Sequence, residues 1–466
     1  MLKFQFITPE TADIVQKYYE NCDYRLCEYS VGVKLMWSDW LHAEFVEAAG
    51  CLIVKSCTKG RCQFDFPIPG PEGDVEGALR LLEQWCTENG CRMAFSPIPE
   101  EKTQQLIHRY PYLSMRNERA WKDYLYRAED LANFAGRKYS GQRNHINKFR
   151  KNYPDARFVE LTAADRGLVE QFWQDYTPEF RKQDSDMARK ELDHAQEMFA
   201  LLGKDWFCAG GLLVDDRLVA LSLGERCGNT LHVHIEKALY SYAGAYPTMV
   251  QAFAQHFGKD VCWINREDDA CDRGLRTSKL QYLPAELAGK VSLEIETQLD
   301  HLQAVPILHT QRLTLDGLRE EDQADYAALC MDDTNNRWWG YDYREDLHGE
   351  LTDRYFLEVA WQDFMFRRGV NFAVRLDGKC IGEVVLYNLD WRGGAEMGAR
   401  IAAAYAGQGY GVEAFTAVAE WALYQLHLER VTCKCYKENT ASCKMIASCM
   451  RKTGEDDKFY YFEKLV

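Results

Sequence analysis

The hydrophobic pattern is clearest near the carboxyl terminus, between residues 395 and 426. An apolar run over 395–401 predicts a strand. Apolar residues then recur every three or four positions and predict an amphipathic helix, which carries Val412, Phe415, Ala419, Ala422 and Leu426 on one face. Between strand and helix lies a turn rich in small residues, which holds Gly407, Gly409 and Gly411.

A strand, a glycine turn and a helix in succession can form an anion site. The first N–H groups of a helix lack intrahelical partners, and the helix dipole places partial positive charge beside them. An apolar run over 430–436 predicts a second strand, which makes the unit a parallel crossover with the turn at the carboxyl end of the first strand. Three glycines alone favour an ordinary strand-to-helix turn, so the neighbouring elements must decide.

Two apolar runs, 371–376 and 379–387, precede this unit and are separated by Asp377-Gly378, which predicts a hairpin. Behind the unit, Asn439-Thr-Ala-Ser442 opens a further helix. This order of elements resembles the GNAT acyltransferase superfamily, and most closely the branch that acetylates the amino termini of ribosomal proteins. The family turn is Gln/Arg-x-x-Gly-x-Gly/Ala, whereas this chain has Ala406 in the first position. The resemblance covers about residues 307–466.

The resemblance implies that acetyl-CoA is the cofactor. It implies that the backbone of 397–401 pairs with the pantetheine arm, that the turn holds the diphosphate, and that Asn439 and Ser442 contact the coenzyme or its thiolate. The implied cofactor-binding residues are Met397, Ala399, Ile401, Ala406, Gly407, Gln408, Gly409, Tyr410, Gly411, Val412, Asn439 and Ser442.

An amine that attacks a thioester must be neutral, so a carboxylate or a water relay should face the thioester. Glu383 and Glu396 are the two candidate bases, and Glu396 is favoured because it directly precedes the segment expected to hold the pantetheine arm. Strand faces alternate and the register is unknown, so both candidates stay open. An aromatic segment, 335–343, fits either a wall of the acceptor site or a core, and supplies Trp338, Trp339, Tyr341 and Tyr343.

Residues 206–279 repeat this plan of strands, turn, helix and crossover strand, with the helix predicted over 247–257. Their turn, 242–247, has one glycine and ends in Pro247, which donates no N–H, so we expect its coenzyme cradle to be weakened or lost. The fold prediction is α/β (α+β), with three GNAT-like units that each contain a mixed, mostly antiparallel sheet flanked by helices. The predicted units are 1–128, 129–296 and 307–466, with a polar boundary before the last.

The amino-terminal half resembles the C-terminal domain family of phosphatidylglycerol lysyltransferase over roughly the first 295 residues. The runs that carry the resemblance are KYSGQRNHINKF at 138–149, IEKA at 235–238, INRED at 264–268, GLR at 274–276 and Lys279. That family has paired GNAT-like lobes, and its membrane-bound members transfer an aminoacyl group from tRNA to lipid. The resemblance implies a polar pocket formed by Glu236, Lys237, Asn265, Arg266, Glu267, Arg276 and Lys279. A buried ion-pair network is an equal alternative for the same residues.

Composition limits the classes of binding partner and the cellular compartment that fit this chain. The formal net charge of −15 over 466 residues argues against a general nucleic-acid binder. The run 137–151 is nevertheless basic, and it suits either an anionic ligand such as tRNA or a solvated helix face. The 17 cysteines are odd in number and scattered, which predicts reduced thiols and no metal site. No apolar run is long enough to span a bilayer, and no secretory segment opens the chain.

These observations predict a cytoplasmic N-acyltransferase that moves an acetyl group from acetyl-CoA to an amine of a small molecule, protein or peptide. One alternative is an aminoacyl-tRNA-dependent transferase in which the first two units perform the chemistry. Another makes the amino-terminal half a non-catalytic module that binds the acceptor.

Overall fold

A computed structural model describes residues 2–58, 60–180, 186–340, 342–347, 349–352 and 354–466. Within these residues the chain forms three mixed sheets flanked by helices, which confirms the predicted α/β fold. The chain divides into two compact units, one made of Met1–Gln105 with Met115–Glu294 and the other of Leu106–Ser114 with Ile295–Val466. Tyr341 lies outside the described residues.

The strands up to residue 295 are, in chain order, β1 (Gln5–Phe6), β2 (Glu44–Ala48), β3 (Cys51–Thr58), β4 (Arg61–Phe64), β5 (Ile68–Pro69), β6 (Ala94–Pro99), β7 (Leu113–Arg116), β8 (Asp123–Arg127), β9 (Arg157–Glu160), β10 (Phe207–Val214), β11 (Arg217–Cys227), β12 (Thr230–Ala238), β13 (Trp263–Asn265), β14 (Glu286–Ala288) and β15 (Lys290–Ile295). The helices of the same stretch are α1 (Ala12–Tyr19), α2 (Val31–Met36), α3 (Ser38–Leu41), α4 (Val75–Glu88), α5 (Thr103–Arg109), α6 (Ala128–Asn133), α7 (Ser140–Asn152), α8 (Arg166–Phe180), α9 (Asp186–His194), α10 (Ala245–Phe257) and α11 (Arg273–Leu280).

The remaining strands are β16 (Leu308–His309), β17 (Thr314–Gly317), β18 (Gly369–Leu376), β19 (Lys379–Tyr387), β20 (Gly394–Ile401), β21 (Arg430–Tyr436), β22 (Arg451–Glu455) and β23 (Phe459–Leu465). The remaining helices are α12 (Gln323–Met331), α13 (Asp333–Asn336), α14 (Tyr343–Asp346), α15 (Tyr355–Met365), α16 (Tyr410–Tyr424) and α17 (Thr440–Ala447).

Each sheet is mainly antiparallel but contains a parallel pair of neighbouring strands. The first sheet runs β1-β2-β3-β4-β6-β15, the second β14-β8-β13-β12-β11-β10-β9, and the third β16-β17-β18-β19-β20-β21-β23-β22. The parallel pairs are β4–β6, β12–β13 and β20–β21. A helix connects the two strands of each pair, because parallel neighbours need a crossover connection. The three connecting helices are α4, α10 and α16.

Local sequence signals explain where several of these elements begin and end. Asp74 caps α4 by accepting a hydrogen bond from the Gly77 N–H at 2.8 Å, as expected for an aspartate before a helix. The β18–β19 hairpin turns through Asp377 and Gly378, both at positive φ, which matches the twist of the flanking strands. Helix α10 begins two residues earlier than predicted and places Pro247 inside its first turn, where proline is tolerated.

A buried core fixes the strands of the third sheet against α16. Phe415, Val418 and Ala422 of the helix are fully buried in one cluster with the inward-facing residues of β18 to β21. The ring of Phe372 on β18 lies 5.1 Å from that of Trp421 on the helix, in an edge-to-face arrangement. This packing holds the amino terminus of α16 in a fixed position at the end of β20.

The prediction that all thiols are reduced is wrong for one pair. Cys57 and Cys62 are cross-strand partners on β3 and β4 and form a disulfide, while the other fifteen cysteines are free. The pairing follows from the hairpin, which sets the two residues directly opposite each other, and hairpin register is not readable from cysteine spacing alone. Among the described helices, none is long and apolar enough to cross a membrane.

Candidate functional site

Strands β20 and β21 pair for only a short distance and then diverge. The parallel register joins Gly394, Ala395 and Glu396 to residues 430–432, and both strands continue beyond the paired region. On its other side β20 stays paired with β19 as far as Ile401. The edge of 397–401 that faces β21 therefore presents backbone N–H and C=O groups toward a cleft, where an extended ligand with amide groups can pair with them.

The glycine turn lies at the far end of the same strand. Gly407 and Gly409 have φ values of +74° and +83°, a conformation that side chains rarely adopt. A Cβ atom on Gly407 would meet nothing within 4 Å, so the space beside the turn is open. Gly409 precedes α16, whose first backbone hydrogen bond runs from the Glu413 N–H to the Gly409 carbonyl at 3.2 Å. The preceding N–H groups of the helix are available to an anion.

Helix α17 completes this cleft. A Cβ atom placed on Gly411 would lie 3.0 Å from Met445 Sδ on α17 and 3.6 Å from Ile401 Cγ1 on β20, so the three elements meet there. The Asn439 side chain accepts a hydrogen bond from the Ser442 N–H at 3.2 Å and thereby caps α17. The structure thus brings together the end of β20, the glycine turn and α17. The turn beside Gly407 is open enough to admit an anion.

Glu383 and Glu396 lie on the same face of the third sheet, because the β19–β20 register pairs Glu383 with Arg400 and Tyr387 with Glu396. Glu383 is 1% exposed. It accepts hydrogen bonds from the Arg400 Nε at 2.5 Å and the Tyr326 hydroxyl at 2.7 Å. Burial and the charge of Glu383 raise the pKa of that tyrosine well above its usual value, so the phenol stays protonated. Glu383 is therefore held in a buried ion pair.

Glu396 has a different environment, since its side chain is 16% exposed. Its carboxylate accepts hydrogen bonds from the Tyr387 hydroxyl at 2.8 Å and the Asn388 amide at 3.1 Å, and it lies 3.3 Å from the Lys434 ammonium. Burial and the nearby carboxylate raise the pKa of Tyr387, which keeps this donor protonated. Glu396 is also the last paired residue before the two strands diverge. Its carboxylate therefore lies at the closed end of the cleft, with one side open to solvent.

Two of the four predicted aromatic wall residues lie at this cleft. The Trp339 ring packs 4.4 Å from the Arg400 guanidinium and lies 3.4 Å from the point where a Cβ of Gly398 would stand. The Trp338 ring lies 5.7 Å from that of Tyr436 at the end of β21. Tyr343, in contrast, belongs to a buried apolar cluster with Phe356, its ring 5.0 Å away. Tyr341 falls on a residue that the structure does not describe.

Three contacts around Glu396 were not predicted from sequence. They come from Tyr387, Asn388 and Lys434, which lie on β19, at its end and on β21. Tyr387 and Glu396 fall opposite each other only in the observed register, and a β-bulge between Val374 and Arg375 shifts the pairing of the preceding hairpin. The alternation of polar residues on β19 and β20 was the available signal, but it does not identify which residues are paired.

In the amino-terminal half, the predicted polar residues form intramolecular contacts on and beside β12 and β13. Arg266 pairs with Glu236, donates to the Tyr246 hydroxyl at 2.9 Å and lies over the Tyr282 ring at 4.5 Å. Burial opposes the charge on Arg266, but Glu236 outweighs it and raises the pKa of the guanidinium. Lys237 pairs with Glu191 at 2.6 Å. This part of the predicted pocket is a paired and largely buried network.

The remaining residues of that prediction extend the network. Glu267 lies 2.8 Å from His234, whose other ring nitrogen lies 3.1 Å from Glu225. Burial lowers the pKa of His234, yet the hydrogen bonds to the two glutamates outweigh it and raise the value to about 9. Asn265 donates to Asp123 at 2.8 Å. Lys279 donates to the carbonyls of residues 266 and 268, and Arg276 pairs with the carboxylate of residue 269 at 2.8 Å.

The turn before α10 is closed, although it occupies the same place in the second sheet as the glycine turn in the third. Gly244 has a φ of +90°, but a Cβ placed there would lie 2.4 Å from the His145 carbonyl oxygen and 3.0 Å from the Phe149 Cβ. Both residues belong to α7, which packs over this turn. The second sheet therefore has no room for a diphosphate at this position.

The basic run spans α7 and the turn before it, and most of its charged side chains are exposed. Ile146 and Phe149 are buried in the core of the second sheet. The exposed residues of the run are Arg137, Lys138, His145, Lys148, Arg150 and Lys151. Both arrangements predicted for this segment, an anion-binding surface and a solvated helix face, require this outward orientation.

Two family models match successive parts of the chain. The family model for phosphatidylglycerol lysyltransferase, C-terminal, matches residues 20–290, and the acetyltransferase (GNAT) domain model matches residues 312–449. No curated protein matches the chain.

Solved structures are similar to each part. A conserved protein of unknown function from Bacteroides thetaiotaomicron shares 27% identity at a TM-score of 0.57 and covers 64% of this chain and 100% of its own. L-PGS from Bacillus licheniformis shares 11% identity at a TM-score of 0.47, covering 62% of this chain and 92% of its own. Mycobacterium smegmatis RimJ, solved in complex with CoA-disulfide, shares 20% identity at a TM-score of 0.30, covering 35% and 87%.

The carboxyl-terminal GNAT domain identifies an acyltransferase. The lysyltransferase model covers more than half of the 466 residues. The chain therefore belongs to the phosphatidylglycerol lysyltransferase C-terminal family, and a GNAT acetyltransferase domain follows the family's own domain.

Proposed function

We propose that the chain is a cytoplasmic N-acetyltransferase that uses acetyl-CoA and acts on an amine of a small molecule, protein or peptide. The observation that carries the proposal is the divergence of β20 and β21 beside an open glycine turn at the start of α16. Acetyl-CoA would supply an activated thioester. The chain itself must bind and orient that thioester, admit the amine, and accept its proton.

Backbone groups perform most of the binding in this proposal. The free edge of 397–401 pairs with the amides of the pantetheine arm, and the N–H groups at the start of α16 bind the diphosphate. Asn439 and Ser442, at the start of α17, are the side chains proposed to contact the coenzyme. Because backbone groups are already fixed by the sheet and the helix, their orientation requires no rearrangement on binding.

Glu396 is the proposed proton acceptor. It lies at the closed end of the cleft, and its exposed side allows an amine or a relaying water to approach. Tyr387 and Lys434 hold the carboxylate in place. Trp338 and Trp339 form a wall for the acceptor. Glu383 is the less suitable of the two candidates because its carboxylate is buried in an ion pair with Arg400, whereas the Glu396 carboxylate is partly exposed.

We also propose that the chain has three GNAT-like units, 1–128, 129–296 and 307–466, of which the last is catalytic for acetyl transfer. The second unit has its turn closed by α7, which supports a role other than coenzyme binding. One such role is to bind the acceptor and present it to the last unit.

Titration calorimetry of the full chain with acetyl-CoA tests the proposal. We expect saturable binding that Gly409→Val abolishes, because valine is strained at a φ of +83° and its side chain would stand at the turn. Gly454→Ala, a surface glycine with no atom within 4 Å of its Cβ position, is the matched control and should bind normally. Unchanged affinity in Gly409→Val would remove the turn from the site.

A second candidate function is aminoacyl transfer from tRNA by the amino-terminal half. The specific observation in its favour is the exposed basic face of α7 in an acidic chain. Phosphate contacts release counterions, so binding through this face should weaken steeply with salt. Filter binding with bulk tRNA tests it, and absence of retention at low salt would reject this candidate.

A further inference from the structure

Position 406 is occupied by alanine, whereas turns of this type usually carry glutamine or arginine there. The structure places another cationic side chain beside the same turn. Arg312, from the loop between β16 and β17, donates from Nη1 to the Gln408 carbonyl at 3.0 Å, and its guanidinium lies 4.5 Å from the Tyr410 ring centre. A cation from a distant segment therefore contacts the backbone of the turn itself.

Gly409 leaves room for this guanidinium. The Arg312 Nη2 lies 3.3 Å from the point where a Cβ of residue 409 would stand, a distance that a side chain at this position would disturb. The absence of a Cβ at 409 thus serves two purposes: it permits a positive φ, and it lets Nη2 lie beside the backbone at the start of α16.

The guanidinium retains donors for a ligand. Its Nε donates to Glu413 at 2.7 Å and its Nη1 to Gln408, contacts that use two of its five N–H groups. The Arg312 side chain is 41% exposed. A planar fork of donors suits the paired oxygens of a phosphate better than the point charge of lysine.

Glu413 both holds Arg312 and limits the net charge at the turn. One of its oxygens accepts from the Thr310 hydroxyl at 2.6 Å and from the Arg312 backbone N–H at 2.8 Å. This arrangement fixes the loop against α16, so Arg312 has a structural role as well. The Arg312–Glu413 pair is partly exposed, and solvent screens the charge of the glutamate. The remaining donors therefore still favour an anion.

We propose that Arg312 binds the diphosphate of the coenzyme and replaces in space the side chain that position 406 lacks. The inference rests on the proposed acetyl-CoA site. It assigns to the amino-terminal edge of the last unit a ligand contact that the turn motif alone does not reveal.

Calorimetry of the full chain with coenzyme A, dephospho-coenzyme A and pantetheine tests the inference. A hydrogen bond to a charged group contributes enough free energy that Arg312→Gln should lower the affinity for coenzyme A about tenfold or more. The affinity of this variant for dephospho-coenzyme A should fall by the same factor, because that compound keeps the diphosphate and lacks only the 3′-phosphate. Pantetheine, which has no phosphate, should bind Arg312→Gln and the unsubstituted chain equally.

Two further variants separate ligand binding from loop structure. Ala406→Arg added to Arg312→Gln should restore most of the lost affinity, since it returns a guanidinium to the turn from the usual position. Thr310→Val removes one bond between the loop and Glu413 while Arg312 remains, and should change coenzyme A affinity less than threefold. If Arg312→Gln fails to fold, Arg312→Lys, which keeps the charge and loses the fork, should show a partial loss.

The possible failures are distinguishable. Unchanged coenzyme A affinity in Arg312→Gln, or an equal loss for pantetheine, would overturn the role of Arg312 and leave the acetyl-CoA site intact. A loss in Thr310→Val as large as that in Arg312→Gln would also overturn it in favour of a purely structural role. Failure of the unsubstituted chain to bind any of the three compounds would overturn the proposed function itself.

Discussion

Glu396→Gln should lower the rate of acetyl transfer with little effect on the free energy of unfolding. Glutamine keeps the size of the side chain and an oxygen that can still accept from the Tyr387 hydroxyl, now 2.8 Å away. The change removes the proton acceptor and the charge that faces Lys434. Because that pair is partly exposed, its loss should reduce the free energy of unfolding by no more than about 1 kcal/mol.

The catalytic effect should be much larger. A general base contributes roughly 10²- to 10⁴-fold in rate, so Glu396→Gln should lower kcat/KM by about that factor. Acetyl-CoA affinity should stay within about twofold, since the proposed coenzyme contacts lie in 397–401, the glycine turn and α17. The readout is release of free thiol from acetyl-CoA with a panel of primary amines and short peptides, alongside calorimetry for binding.

Glu383→Gln is the matched comparison, because this carboxylate lies on the same face but in a buried ion pair. Its neutralisation leaves the Arg400 guanidinium without its partner, which should cost about 3–5 kcal/mol in the free energy of unfolding. Urea denaturation measures that loss. The structure thus predicts opposite signatures for two glutamates on neighbouring strands: lost rate with retained stability at 396, and lost stability at 383.

Full turnover by Glu396→Gln would refute this assignment. If Glu383→Gln then lost activity while it remained folded, the base would be Glu383. If both variants kept their turnover, deprotonation of the amine would belong to solvent or to another residue.

Three further outcomes follow from the amino-terminal half. The pKa of His234 is raised to about 9 against an ordinary 6.5, so the protonated imidazole stabilises the fold fully below pH 6.5. The free energy of unfolding should therefore fall by about 3 kcal/mol as the pH rises to 9. His234→Gln should remove this pH dependence. Gly244→Ala should lower the melting temperature, since its Cβ would stand 2.4 Å from a carbonyl oxygen of α7. Lys148→Glu with Lys151→Glu should abolish any tRNA retention at low salt, whereas a variant that binds unchanged would place that contact elsewhere.

Local signals made the elements around the site predictable. Asp377-Gly378 defines the hairpin, the spacing of apolar residues defines α16, and Asn439 marks the start of α17. Each of these depends on residues near one another in the chain. The sequence predicts the start of α10 two residues late, because proline favours the first position of a helix and here lies within the first turn.

Side-chain partners were less predictable because they depend on register and on contacts between distant segments. Alternation alone could not show that Tyr387 faces Glu396, and the approach of Arg312 to the glycine turn joins residues almost one hundred positions apart. The predicted polar residues of the amino-terminal half, between 236 and 279, have a composition that suits either a binding pocket or an ion-pair network. Only the geometry shows Arg266 paired with Glu236 and Lys237 paired with Glu191.

The second and third sheets share one backbone plan but differ in the space beside the turn that precedes the helix. Both contain a parallel strand pair joined by a helix, and both place a glycine at positive φ immediately before that helix. A Cβ at Gly409 would meet only Nη2 of the partly exposed Arg312 side chain within 4 Å, whereas a Cβ at Gly244 would meet the His145 carbonyl oxygen and the Phe149 side chain of α7. The helix dipole and the unpaired N–H groups are similar in the two places, so they cannot decide whether an anion binds. The two turns differ in access, and this difference supports the coenzyme site that we propose in the third sheet.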